Sequence, residues 1–426
     1  MNEKPVSRGL KEFIDDFAVT PVPLERRKGL FELTMVYMGC ALSVTAWLVG
    51  PLLAKGLTFG EGLAAIIIAN LLLAGYAILT SEIGRRHGLS TAMVSKLAFG
   101  EKGQALSTGV TVIVLLGFVG VYMSLFGNLV HTLWPGVPAV IAGLAFMLML
   151  WSSAIMGFRG LAHLTEVMLP VIVFVALWGM YVMRGQIGSF AHLWQFQPKG
   201  SMSLAAGISA VFSVWATYTT LCADTGRYAR SLKDVGIATV LSWGVGTAGL
   251  EAIALILAVG TGTGDLVILL TKVGLVIPAF LLYWGLMWTS GDNLLWSFSL
   301  GFTNIEKSLT GRQKVGRAGW VTLASIIAFT IGVLMIQSGI TAAFNAQLKV
   351  VGIAVPPVGG VLLAEYYARR GKRSLVPVHW PGVVSWLAGT AFSWLVKGGI
   401  PALQGMAVAF LVYWLLTVGR GEDLRP

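Results

Sequence analysis

Thr289, Ser290, Asp292 and Asn293 fall together in the stretch "MWTSGDNLLW" (Met287–Trp296), inside an otherwise apolar segment. Thr289 and Asn293 are four residues apart, which places them on one face of a helix. The hydroxyl oxygens of Thr and Ser are neutral, hard donors of the kind that alkali and other hard cations accept. A hydroxyl can instead bond back to the carbonyl four residues earlier and do nothing further. For one hydroxyl alone that is the ordinary outcome. Four polar groups at this depth point to ion or substrate handling.

A second concentration lies in "SLAAGISAVFSVWATYTTLC", where Ser213, Thr217, Tyr218, Thr219 and Thr220 crowd the latter half. Thr is a poor helix former in isolation, and five hydroxyls in eight residues would be costly facing lipid, so this half is expected to face protein or water. Asp224, Arg227 and Arg230 follow at once. Asp224 and Arg227 could pair across one helical turn, a structural use that competes with a gating role. Glu251 and Lys349 are each a lone charge in an apolar run. They could pair with each other or with water in a cavity.

The elements that hold these groups follow from composition. The chain has 426 residues, 56% hydrophobic and only 12% charged, with a mean hydropathy of +0.79. A soluble protein carries about a quarter charged residues. The expected solvent is therefore lipid, and the 53 Gly and 15 Trp agree with it. Runs long enough to cross a bilayer, about 20 residues, occur near 31–52, 62–82, 104–127, 135–156, 163–183, 203–222, 235–259, 275–302, 318–340, 345–366, 380–398 and 401–419. These predict twelve transmembrane helices. Segment 87–103 is too short and polar to span and is expected to be a cytoplasmic interfacial helix or loop.

With the N-terminus inside, 24 of the 30 Lys and Arg fall in inside segments and five outside. That asymmetry follows the positive-inside rule. It predicts an integral protein of the cytoplasmic (inner) membrane with both termini cytoplasmic. Topology and anionic lipid account for the net charge of +11, which argues against a nucleic-acid partner. The first 30 residues are polar and lack the apolar core of a signal peptide. Cys40 and Cys222 lie in apolar runs without metal or disulfide spacing, as inert packing residues would. The five His (His87, His131, His163, His192, His379) lie at run edges or in loops, so no convergent catalytic set is expected and the chain is not read as an enzyme.

Two runs carry signs of irregular backbone. In the first, Gly39 is followed by Cys40, Ala41, Leu42 and Ser43. Small residues let helices approach closely, or let a helix unwind and free carbonyls that coordinate a cation; the run alone leaves both open. In the tenth, Pro356-Pro357 and Gly359-Gly360 mark a hinge or cavity wall.

Several segments together resemble the cytosine permeases of the nucleobase–cation symporter family. They are "PVPLERRKGLFELT", "ADTGRYAR" (Ala223–Arg230), "WTSGDNLLWSFSLGFTNI" (Trp288–Ile305) and "VPPVGGVLLAEYYARR", in colinear order over most of the chain. The resemblance implies an all-α membrane protein with a leucine-transporter-like fold, two inverted five-helix repeats plus two C-terminal helices. It divides the chain into a cytoplasmic segment 1–30, repeats 31–183 and 203–366, helices at 380–419 and a cytoplasmic tail 420–426. Spans 1 and 6 are then broken at mid-membrane with the substrate between them.

The resemblance also implies roles. Thr289 and Ser290 match the hydroxyls of the family's sodium site, whose backbone carbonyls fall near Gly39 and Leu42. A planar base would lie between Phe118 and Trp215, with Thr217 and exposed backbone near Gly39 as polar candidates. Leu115 and Leu286 stand where the family has a glutamine and an asparagine. A site lacking these amides should hold cytosine poorly, because the ligand's polar groups would go unpaired. The expected ligand is still a flat heterocycle, less polar or differently substituted.

The expected function is sodium-coupled import of a nucleobase-like heterocycle by alternating access, with sodium as coupling ion, no other cofactor, and a monomer as the working unit. Proton coupling through Asp292, Glu251 or Asp224 is the alternative. Asp224, Arg227, Glu251, Lys349 and Asp292 are the gating or coupling candidates.

Overall fold

Hydrocarbon offers no hydrogen bonds, so a chain with long apolar runs can satisfy its backbone within each run only as helix. The computed structural model describes residues 16–263, 266–369, 376–396 and 398–418, the backbone alone for 266–267 and 340–350. Segment 1–15, the tail 420–426 and the side chain of Lys349 lie outside the described residues.

Each of the twelve apolar runs is helical. The first is split into α1 (Leu30–Ala41) and α2 (Val44–Ala54). α3 (Phe59–His87), the short α4 (Thr91–Phe99), α5 (Gln104–Leu133), α6 (Ala139–Ala154) and α7 (Gly157–Ile187) follow. After α8 (Phe190–Trp194) come α9 (Leu204–Thr220), the single turn α10 (Ala223–Gly226) and α11 (Leu232–Thr261), which contains a π-helical stretch at Val240–Thr247. The chain closes with α12 (Leu266–Lys272), α13 (Val276–Thr310), α14 (Gly316–Ser338), α15 (Ile340–Leu363), α16 (Trp380–Leu395) and α17 (Pro401–Thr417). Among the described residues, six helices are long and apolar enough to cross a membrane alone, seven with the bent pair α1–α2. No strand occurs among the described residues, only an isolated bridge between Lys28 and Ala229.

Local chemistry sets the helix ends. Thr58 and Glu61 form a reciprocal capping box at the start of α3, and Gly88, at φ 68°, ends it in the left-handed conformation. Ser90, Ser203 and Ser231 cap α4, α9 and α11 through backbone N–H groups three residues on. The expected interfacial element in 87–103 is α4, a nine-residue helix packed on α5.

α13 is central. It packs on α5, α6, α7, α14 and α1 and is buried along most of its length. α15 runs through Pro356 and Pro357 as helix, and Trp386 donates to the Ala354 carbonyl at 2.9 Å. The glycines beside that proline pair serve close packing: a Cβ on Gly360 would sit 2.2 Å from the Met406 carbonyl oxygen. α15 contributes no residue to the cavity described below.

A tight reciprocal approach joins α3 to α10. A Cβ on Gly84 would lie 2.4 Å from the Ala223 carbonyl oxygen, and one on Gly226 would lie 2.5 Å from that of Ser81. Gly84→Val should therefore destabilise the protein by about 1–3 kcal/mol through overpacking. Gly75→Ala, on the same helix with nothing within 4 Å, should be near neutral. Thermal denaturation of the detergent-purified variants measures the difference.

Candidate functional site

The break between α1 and α2 organises the site. The two helices meet at a 48° bend, with Leu42 at φ −85°, ψ 86°, outside the helical region. Ser43 caps α2, its Oγ accepting from the Thr45 N–H at 3.1 Å. The Ser43 hydroxyl also lies 2.6 Å from the Tyr122 hydroxyl of α5, and Thr247 of α11 donates to the Ala41 carbonyl at 3.1 Å. Both readings of this run are observed: the helix unwinds at Leu42, and Gly39 lets α7 approach closely. The last turn of any helix leaves carbonyls without an intrahelical donor, and Gly39 and Leu42 belong to this turn.

A narrow cavity lies beside the break. Cys40 and Thr45 reach it from either side of the bend; Leu115, Phe118 and Tyr122 come from α5. Val214, Trp215, Thr217 and Tyr218 come from α9, and Ser290 and Leu294 from α13. Of the residues singled out for the substrate, Phe118, Trp215, Thr217 and Leu115 are brought together here. Gly39 and Leu286 are not on the lining. Gly39 is packed against Thr165 of α7, whose Oγ1 would lie 2.1 Å from an added Cβ. Leu286 is fully buried and its carbonyl accepts the Ser290 hydroxyl at 2.6 Å.

The threonines of α9 are not equivalent. Thr219 donates to the Trp215 carbonyl at 3.0 Å and Thr220 to that of Ala216 at 2.7 Å, each four residues back. Thr217 makes no such bond: its buried hydroxyl has no partner among the described residues. An unpaired buried hydroxyl costs about 1–3 kcal/mol. Its place on the cavity wall leaves that hydroxyl open to the cavity.

On α13, both hydroxyls back-bond: Thr289 donates to the Gly285 carbonyl at 2.9 Å, and Ser290 to Leu286 as above. This does not consume them as ligands. Each proton points back along the helix, and the oxygen keeps lone pairs for a cation. Ser290 faces the α1–α2 break across the cavity. Thr289 is buried beside it, off the lining.

Asn293 donates to the Thr289 carbonyl at 2.8 Å and accepts from the Tyr218 hydroxyl at 3.2 Å. It thus ties the polar stretch of α13 to the cavity wall of α9. Asp292 is fully buried; one carboxylate oxygen takes a long 3.4 Å contact from Asn293, and the other has no partner among the described residues.

The remaining charged candidates sit outside the cavity. Asp224 and Arg227 do not form the expected side-chain pair. The Asp224 carboxylate accepts from the Thr91 N–H at 2.8 Å. Arg227 donates from Nε to the Asp224 carbonyl at 3.1 Å and from its terminal nitrogens to the Phe17 and Asp16 carbonyls at 2.8 and 3.0 Å. The guanidinium thereby holds the segment before α1 against the end of α9. Glu251 accepts from Asn70 and Trp215; the side chain of Lys349, its other expected partner, lies outside the described residues. The break after α9 falls at Leu221–Cys222, at the end of the run rather than at its middle.

Sequence reading missed Tyr122, Cys40, Thr45, Val214 and Leu294, and named Tyr218 in its hydroxyl cluster without giving it a place in the site. Tyr122 is four residues after Phe118, Leu294 four after Ser290, and Tyr218 three after Trp215. Extending each helix face by one turn would have reached them. Cys40, read as inert packing, is on the cavity wall.

Residues 21–376 match the family described as permease for cytosine/purines, uracil, thiamine, allantoin. The cytosine permease of Escherichia coli strain K12 is 25% identical over 406 residues, covering 93% of this chain and 94% of that protein. The fold is similar to the closed structure of Mhp1, a nucleobase-cation-symport-1 family transporter with bromovinylhydantoin bound. The TM-score is 0.79 at 14% identity, covering 93% of each chain. A sodium-coupled sialic acid symporter in a substrate-bound outward-open state gives a TM-score of 0.69 at 11% identity, covering 96% of this chain and 92% of that one.

Thr217→Val keeps the side-chain shape and removes the orphan hydroxyl. Thermal stability without ligand should hold or rise slightly, while ligand affinity should fall by about 5–30-fold if the hydroxyl pairs with the ligand. A ligand titration on the variant reads both.

Proposed function

From the premise that this chain belongs to the family of permeases for cytosine/purines, uracil, thiamine and allantoin, an integral membrane transporter and not an enzyme, we propose that it imports a planar heterocycle coupled to sodium. The observation that carries this reading is one cavity, bounded by Phe118 and Trp215, holding the orphan Thr217 hydroxyl next to the α1–α2 break and Ser290. Two aromatic faces suit a flat ring, each worth about 1–3 kcal/mol by analogy with base stacking. Of the cavity's hydroxyls, on Thr45, Tyr122, Thr217, Tyr218 and Ser290, only that of Thr217 lacks a protein partner among the described residues, and with the apolar Leu115 beside them these walls suit a ring with few unpaired polar edges. Cytosine, which would present more donors and acceptors than these walls pair, is expected to bind less well than a hydantoin-, allantoin- or hydroxymethylpyrimidine-like ring.

Sodium would sit between the unwound end of α1 and α13, held by the Thr289 and Ser290 hydroxyls and the carbonyls of Gly39 and Leu42. The back-bonded hydroxyls support this, since their oxygens are oriented without being protonically committed to the ion. The sodium-coupled sialic acid symporter shares the fold. Sodium binding would order the break, and the break borders the heterocycle cavity, so the two ligands favour the same state. Each charge moving inward through about 100 mV contributes about 2.3 kcal/mol, roughly 50-fold in accumulation.

We place residues 31–183 and 203–366 as the two inverted repeats that move against each other, with 380–419 as accessory helices. The protein would work as a monomer in the cytoplasmic membrane with both termini inside. One observation favours a second reading: the partnerless oxygen of buried Asp292 would suit proton coupling.

Replacing sodium by choline at fixed pH should abolish concentrative uptake. Thr289→Ala combined with Ser290→Ala should remove sodium stimulation while leaving the protein in the membrane. Uptake undiminished in choline and lost in Asp292→Asn would transfer the coupling to protons. Thermal shifts across cytosine, uracil, hypoxanthine, hydantoin, allantoin and hydroxymethylpyrimidine identify the ring. Leu115→Gln, which adds an amide to the cavity wall, should strengthen cytosine binding about fivefold, the worth of one hydrogen bond.

A further inference from the structure

Behind the cavity, three fully buried side chains from three helices form a chain of hydrogen bonds. Trp215 of α9 lines the cavity and points its ring N–H away from it, donating to Glu251 Oε1 of α11 at 3.2 Å. Glu251 Oε2 accepts from Asn70 Nδ2 of α3 at 2.6 Å. Asn70 is itself tethered, its Nδ2 also donating to the Ile66 carbonyl at 3.0 Å. Glu251 is 0% exposed and off the cavity lining, and among the described residues it has no cationic partner.

A carboxyl side chain buried in a membrane helix is costly, and one indole N–H could be satisfied by a backbone carbonyl alone. What this side chain adds is a brace: its two oxygens accept from Trp215 and from Asn70 at once, and the bond to Asn70 fixes where the acceptor sits. An indole held at its N–H edge is restrained about its side-chain torsions, so its face is preset for stacking.

We propose that Glu251 is a positioning residue for the substrate: through the Trp215 ring N–H it holds the aromatic face on which the heterocycle stacks, with Asn70 as its brace. This rests on the reading that Trp215 is a stacking wall, and it assigns Glu251 to substrate affinity rather than to ion coupling.

The test uses the full chain in lipid nanodiscs. Binding is measured with whichever of cytosine, uracil, hypoxanthine, hydantoin, allantoin and hydroxymethylpyrimidine stabilises the wild type most. Sodium-dependent stabilisation without heterocycle is recorded in parallel. Glu251→Ala should weaken heterocycle binding by about tenfold or more and leave the sodium response intact. Glu251→Gln should stay within about threefold of wild type. Its oxygen can still accept from the indole, and its amide can face the Asn70 Oδ1, which has no partner among the described residues. Trp215→Phe keeps an aromatic face and removes the N–H; it should weaken binding to a similar degree as Glu251→Ala. Combining the two should add no more than about twofold, the signature of residues acting as one unit.

Wild-type affinity in Trp215→Phe or in Glu251→Ala overturns the assignment, as does full additivity of the pair. Joint loss of sodium response and heterocycle binding in Glu251→Ala overturns it too, since that is the mark of a general structural role. A wild type that binds no member of the panel overturns the heterocycle reading and this assignment with it.

Discussion

The interruption of the first apolar run at Leu42–Ser43 is the constraint around which the rest of the molecule is arranged. Unwound backbone away from water must find its hydrogen bonds in protein or ligand. Here Tyr122 approaches from α5 and Thr247 from α11, and Ser43 turns back to cap the second half. Those contacts require α5 and α11 to lie against the break, and α9 and α13 then close the other sides of the same space. The cavity is thus a consequence of the need to satisfy a broken helix, and the polar side chains of the neighbouring helices are those that face it.

Within that arrangement, what a hydroxyl can do depends on where its proton goes. Most of the Thr and Ser hydroxyls in the bundle donate to a carbonyl three or four residues back. That satisfies the group cheaply and leaves its oxygen's lone pairs unspent. In Thr289 and Ser290 this is compatible with holding a cation. Thr217 is different, since it makes no back-bond and faces the cavity. The same residue type therefore serves two purposes a few helices apart, and the distinction is geometric rather than compositional.

The buried charges separate in the same way. Arg227 spends its donors on backbone carbonyls of the segment before α1, so its part is to fasten the chain beneath the bundle. Glu251 is engaged by an amide and an indole. Asp292 keeps an oxygen without a partner. Three isolated charges that look alike in a hydropathy trace have three different surroundings. Their roles differ because a charge in low dielectric is defined by what stands within hydrogen-bond distance of it.

Much of this was legible in the residues themselves. Apolar length and the low charged fraction point to a helical membrane protein, because continuous apolar runs of about 20 residues satisfy their own backbone only as helices, whereas barrel strands are short and alternating. Cap residues such as Thr58 and Ser203 fix where helices begin, because those bonds are local. The clusters at 213–220 and 289–293 announce a site, because so many polar groups at depth must face something other than lipid. The family resemblance supplied Phe118 and Trp215 as facing walls, and the fold brings them to one cavity.

What the sequence could not decide was every question of partner. It left open whether Gly39–Ser43 packs or unwinds, whether Asp224 pairs with Arg227, and what Glu251 touches. It also could not say that Leu286, on the helix face of Ser290 and Leu294, lies off the cavity lining those two share. Each answer depends on which side chain from a distant helix arrives within about 3 Å. Local pattern sets the face a residue lies on, but only the packed tertiary structure decides what that face meets.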